Sequence, residues 1–287
     1  MTDITPWIVL SLFVLGIVVG IYGVSIGSGG GFITAPLLII LFGFDYNVAA
    51  GTSLVTVALS SASGSIAYLR LGYAYVRGAI LFSIVAVPGT IVGALGLRLV
   101  SADFFQFVYG ILLGLLGLYV FMNAGNTRQD SNETVKHQEN LVDPISFGTH
   151  TASVHTSDRG IYKFTYNEPL SLITNGIIGF ISGFLGIGGG PIRTPALVYL
   201  FGFPIYVAIA TSLLSQIGIA TIGSLTHILE DNVDLTSALI LGLGMIVGAQ
   251  IAVKLSRALG GLVIMRLLAL SSLAISIRLI ISGVNLL

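Results

Sequence analysis

The residues best suited to chemistry are two runs of consecutive glycines, Gly29–Gly31 and Gly188–Gly190, and the arginine that follows the second run at position 193. A glycine run can lay backbone N–H groups around an anion, as phosphate-binding loops do. Neither run leads into Gly-Lys-Ser/Thr, so a nucleotide loop is disfavoured. Pro36 and Pro195 follow the runs at equal spacing, and a residue without an N–H donor suits the first turn of a helix. Each run, with Gly27 or Gly186 just before it, therefore reads as a break that opens a short helix. The N-terminus of such a helix carries roughly half a positive charge and free N–H donors, a ready anion site. The competing reading is glycine for close helix packing.

Arg193 lies ten positions before Phe203. At about 1.5 Å per helical residue, that is roughly 15 Å deep, near the midplane of a hydrocarbon core about 30 Å thick. No Asp or Glu lies near it in the apolar stretches, so an anionic substrate is its natural partner. The alternative is a side chain that snorkels to an interface. Polar residues also fall on helical faces: Thr52, Thr56, Ser60 and Ser63 on one, Ser212, Gln216, Gly223 and His227 on another. Thr52, Ser53, Thr211, Ser212, Gln216 and Gln250 are the candidate substrate contacts beside the glycines and Arg193, with helix–helix hydrogen bonding as the rival role. His227, close to Glu230, reads as an interface histidine rather than a proton carrier.

The elements that must hold these groups are membrane helices. Hydrophobic residues make up 55% of the 287, charged residues 8%, and the mean hydropathy is +0.99. Soluble domains carry about 25% charged residues. Ile8–Val24, Ile111–Met122 and Ser237–Val253 contain no charged side chain. Backbone groups in lipid must pair internally, which favours helices, and the alternation of a β-barrel is missing. Met1–Trp7 lacks Lys and Arg, unlike a signal peptide, so Trp7–Val24 reads as a retained helix. The net charge is zero, which gives no face for nucleic acid. There is no cysteine, hence no disulfide, thiolate metal site or persulfide carrier. No Ser/His/Asp set, no His-Glu-x-x-His and no membrane carboxylate pair is present. The chain reads as a non-enzyme without cofactor or metal and without a carboxylate proton relay.

The two glycine runs belong to an internal repeat. Gly27–Pro36 recurs as Gly186–Pro195, at an offset of 159. The register holds through Leu41-Phe-Gly-Phe44 and Leu200-Phe-Gly-Phe203, through Thr52-Ser53 and Thr211-Ser212, and on to Gly89 and Gly248. Each half reads as five helical segments, about 7–26, 32–43, 47–69, 78–98 and 104–122, then 170–186, 191–203, 205–229, 235–257 and 263–285. Segments 32–43 and 191–203 are too short to span. Residues 124–168, rich in Asn, Ser, Thr and charges, with His137, His150 and His155 as surface residues, read as a solvated linker. The expected organisation is a first repeat 1–123, a linker 124–168 and a second repeat 169–287. Arg70 and Arg77 flank a loop that should be cytoplasmic. Its counterpart, Glu230–Asp234, has no positive charge and should be external. The linker, with Arg128, Lys136, Arg159 and Lys163, comes out cytoplasmic and both termini external. The expected fold is an all-α polytopic membrane protein of two inverted five-segment repeats, each with a glycine-broken helical hairpin, a plan that puts substrate at the repeat interface.

At Gly27-x-Gly29-Gly30-Gly31-x4-Pro36 and Gly186-x-Gly188-Gly189-Gly190-x4-Pro195, each with its downstream Thr-Ser, the chain resembles the sulfite exporter TauE/SafE family, also called the toluene sulfonate uptake permease family. The resemblance covers both halves. It implies a multi-pass transporter in a prokaryotic cell membrane, with sulfite, thiosulfate or an organosulfonate as its partner.

Overall fold

The computed structural model describes residues 6–124, 148–157 and 160–284. Arg128, Lys136, His137 and Arg159 lie outside them. Among the described residues ten α-helices follow one another: α1 (Pro6–Ser25), α2 (Gly31–Phe42), α3 (Tyr46–Arg70), α4 (Val76–Gly96, then a 3₁₀ turn Leu97–Leu99), α5 (Ala102–Asn123), α6 (Glu168–Leu185), α7 (Gly190–Pro195), α8 (Ile205–Leu229), α9 (Leu235–Ala258) and α10 (Gly261–Val284). All but α2 and α7 are long and apolar enough to cross a bilayer. The chain is a multi-pass membrane protein. Ser101, Asn167 and Asp234 cap α5, α6 and α9 by accepting from Phe104, Leu170 and Ser237 N–H.

Two expectations need correction. The segment 191–203 is α-helical only to Pro195, and Ala196–Leu200 is wound as a π-helix. Pro195, which has no N–H to close the ladder, stands at the junction, although Pro36 at the same place in α2 leaves that helix α-helical. The linker is not wholly solvated coil. Thr149–Thr156 (β1) and Gly160–Asn167 (β2) pair antiparallel. Ala152, Val154, Phe164 and Tyr166 are buried. The alternation is there in Tyr162-x-Phe164-x-Tyr166, but its apolar partners, Tyr73, Tyr75 and Phe203, come from other parts of the chain. Phe164 and Phe203 rings lie 4.3 Å apart. Among the remaining linker histidines, His155 is exposed, and His150 contacts Arg77, which is itself ion-paired to Glu168 at 2.9 Å.

The helices pair across the halves. α1 lies along α9, α4 along α6, and α5 along α10; α3 and α8 cross at the centre, and each also packs on the other half's fourth helix. Exchanging α1–α5 for α6–α10 reproduces this pattern. Glycines bring the pairs close: a Cβ on Gly89 would stand 2.6 Å from Gly176 O, and one on its counterpart Gly248 2.8 Å from Ile21 N. Gly64 faces Leu213 while Gly223 faces Leu54, so α3 and α8 run antiparallel. One end of the molecule carries the β-hairpin, joined to the loop after α3 by Ser157 N–H donating to Leu71 O at 3.1 Å. At the other end, Arg98 pairs with Glu230 at 2.8 Å and Tyr46 Oη donates to Val100 O at 2.7 Å.

Polarity is distributed inside-out. Leu10, Val14, Ile84, Leu115, Leu243 and Ile277 face outward, whereas Ser28, Thr52, Ser53, Ser60, Thr211, Ser212 and Gln216 are fully buried. Lipid as the outer solvent accounts for both.

Candidate functional site

After α1 the chain turns on Gly27, Gly29 and Gly30 at φ of 76°, 67° and 93°; after α6 it turns on Gly186, Gly188 and Gly189 at 73°, 72° and 80°. An L side chain in this region costs roughly 1–2 kcal/mol, so the repeated glycines are a repeated backbone. Gly31 and Gly190 answer a different demand. A Cβ on Gly31 would stand 2.6 Å from Val57 Cγ2 and 3.0 Å from Gly186 O; one on Gly190, 2.6 Å from Ser28 Cα and 2.7 Å from Gly27 O. The two tips therefore touch, beside Val57 on α3 and Gln216 on α8. Close packing accounts for these two glycines. From its tip, α2 returns to the Leu12, Leu38, Ala49, Leu241 cluster at the end where α3 begins, and the α7 arm returns to Phe203 at the β-hairpin end. The arms approach each other from opposite ends.

Serines fasten the tips reciprocally. Ser53 Oγ donates to Gly186 O at 2.9 Å and lies 3.1 Å from Gly31 O. Its counterpart Ser212 donates to Gly27 O at 3.0 Å. The neighbouring threonines brace loops: Thr52 Oγ1 accepts from Asp234 N–H at 3.0 Å, and Thr211 Oγ1 from Tyr75 N–H at 3.1 Å. Gln216 Nε2 donates to Gly27 O at 2.9 Å, as does Thr194 Oγ1 at 3.1 Å, and Ser60 Oγ donates to Gly29 O at 2.7 Å. These polar groups are thus engaged within the protein. Gln250 is not brought to the tips. Its side chain ties α9 to Ser63 on α3, at 2.9 Å to the carbonyl and 2.8 Å to the hydroxyl. Pro36 and Pro195 lie inside or at the end of their short helices, later than the first turn.

Arg193 is fully buried. Its Nε donates to Asn175 Oδ1 at 2.6 Å. Nη1 and Nη2 find no hydrogen-bond partner among the described residues. They lie against the tip: a Cβ on Gly189 would stand 3.3 Å from Nη2. No buried Asp or Glu is present among the described residues. A guanidinium left unpaired in such a place costs about 3–5 kcal/mol. The neighbouring hydroxyls and the Gln216 amide donate to glycine carbonyls, so the free donors at this place are those of the guanidinium. The second half holds the polarity: Arg193, Thr194 and Gln216 stand where the first has Thr34, Ala35 and Val57.

Asn175 escapes a reading of the sequence that looks for carboxylate partners. Its signal is a lone amide in the apolar run of α6, four residues after Ser171. His227, read as an interface histidine, lies two residues before the end of α8 and is buried, with Nε2 3.1 Å from Gly183 O.

A family profile described as sulfite exporter TauE/SafE matches residues 12–279. "Probable membrane transporter protein YunE" of Bacillus subtilis is 28% identical over 95% of this chain and 97% of its own. "Probable membrane transporter protein ORF9" of a Sinorhizobium species is 27% identical over 98% and 95%. "Probable membrane transporter protein MJ0441" of the archaeon Methanocaldococcus jannaschii is 24% identical over 86% and 85%. No solved structure matches the chain.

Proposed function

We propose, from the premise that this chain belongs to the sulfite exporter TauE/SafE family, that it carries a small sulfur-containing oxyanion across a prokaryotic cell membrane. Sulfite, thiosulfate and organosulfonates are the class. The anion sits on Arg193, where the two glycine tips meet between the repeats. Gly29–Gly31, Gly188–Gly190, Ser53, Ser212 and Gln216 shape that seat and hold its wall. The observation that carries this reading is the buried guanidinium whose two outer nitrogens have no acceptor among the described residues. A buried charge is kept against its cost where it binds something. The repeats lie inverted in the bilayer, with the β-hairpin end in the cytoplasm, so each arm gives one face a route to the same seat. The α part of α7 is only six residues, so on that side the guanidinium rather than a helix dipole supplies the charge.

The test is flux of labelled sulfite, thiosulfate and sulfate into liposomes holding the purified protein. Wild type should carry at least one of them, and Arg193→Ala should lower that flux roughly a hundredfold. Equal flux in the two proteins would remove the proposed role of Arg193. Transport of formate or acetate alone would move the substrate class to carboxylates.

A further inference from the structure

Asn175 is as constrained as the arginine it touches. It is fully buried. Its Nδ2 donates to Ser171 O at 2.8 Å, one turn back on α6. That bond fixes the amide's orientation, so Oδ1 faces Arg193 Nε at 2.6 Å. On the backbone side, Arg193 N–H donates to Gly189 O at 2.9 Å. The guanidinium plane is held at its Nε edge, and Gly189 leaves it room. What remains are Nη1 and Nη2, which are shut off from solvent and have no hydrogen-bond partner among the described residues; a pair of parallel N–H donors matches two oxygens of one anion.

The charge count at this place is simple. Among the described residues, the buried polar and charged side chains are Ser, Thr, Asn and Gln, plus Arg193 and His227. His227 contacts Gly183 O, two turns beyond Asn175 on α6 and so roughly 12 Å further along the axis. The charged neighbour of His227 is Glu230, just past the end of α8. One fixed positive charge is therefore all the seat offers. Asn175 is a neutral acceptor where an aspartate would fit the same space and cancel that charge.

We propose that this seat is matched to a singly charged oxyanion, and that Asn175 is its positioning residue, holding the guanidinium at Nε without neutralising it. This rests on the anion-carrier reading above and narrows it. A monoanion brings the buried pair to zero net charge. A dianion leaves one negative charge dehydrated in a low-dielectric interior, which a protein avoids. Organosulfonates and hydrogen sulfite fit; sulfate and thiosulfate do not.

The experiment uses the purified full-length protein, with the melting temperature measured against methanesulfonate and against sulfate at equal ionic strength. Uptake of labelled sulfite is followed in parallel with either anion as competitor. Methanesulfonate should stabilise the protein and compete with an apparent affinity at least about tenfold tighter than sulfate. Asn175→Asp should lose methanesulfonate binding, and Asn175→Gln, still neutral, should restore part of it. Sulfate binding as well as methanesulfonate overturns the charge match but leaves the carrier reading standing. Wild-type affinity in Asn175→Asp overturns the role of Asn175. Binding of neither anion, with no sulfite uptake, overturns both readings. The wild-type competition needs no variant, so it decides the charge match even if Asn175→Asp does not fold.

Discussion

At the scale of single residues, Arg193 is a group the protein keeps at the expense of its own stability. Replacing a buried, incompletely paired charge by an apolar side chain of similar volume is often stabilising by about 1–4 kcal/mol. Arg193→Met, melted in detergent without added anion, should therefore be at least as stable as wild type while losing transport. A lower melting temperature would mean that the guanidinium is satisfied by groups of the protein and is structural. Its burial among protein groups was not legible from the sequence: a ruler of α-helical rise to the Phe203 turn gives a depth, not neighbours, and Ala196–Leu200 is wound as a π-helix. The hydroxyls were legible as polar faces but not as what they are. Ser53 and Ser212 look like pore-lining donors in one dimension. Only the fold shows that each caps the glycine carbonyl of the opposite repeat, since their spacing says nothing about what lies across from them.

Among the elements, the short arms and the β-hairpin differ most in how readable they were. Both arms announce themselves by glycine and proline, whose backbone limits are local. The π-helical stretch after Pro195 was not foreseeable, because Pro36 sits at the same place in an arm that stays α-helical. The β-hairpin was hidden for a different reason. Its polar face is written in the linker, but its apolar face is completed by Tyr73, Tyr75 and Phe203, far away in sequence. It covers the Phe203 turn of one arm, whereas Phe44, at the matching turn of the other, is only partly buried. Burial raises the Tyr166 phenol well above its usual range. Truncating a buried phenylalanine removes about 3 kcal/mol or more. Phe164→Ala should thus speed hydrogen exchange in 149–167 on the order of a hundredfold and leave the spans unchanged. Unchanged exchange in the strands would show that the hairpin is held by its backbone and root alone.

For the whole molecule, the two ends can be told apart chemically because the chain has no cysteine of its own. Ser153→Cys lies on an exposed position of β1, and Thr236→Cys on an exposed position at the start of α9. A membrane-impermeant maleimide applied to intact cells should label Thr236→Cys and spare Ser153→Cys until the cells are opened. The reverse pattern would turn the protein over in the membrane, and labelling of both from outside would contradict the separation of the two ends. The number and bounds of the segments follow closely from apolar runs and punctuation in the sequence. The partners of the spans do not, since nearly identical apolar surfaces are distinguished only by where small residues allow close approach. Those partners lie almost always in the other half: α1 needs α9, α4 needs α6, and α5 needs α10. During synthesis the first five segments leave the ribosome before any of these surfaces exists. Until the second half follows, those helices have only lipid against these faces and Ser53 lacks its Gly186 carbonyl, so the compact body forms only when the last helices arrive to thread among them.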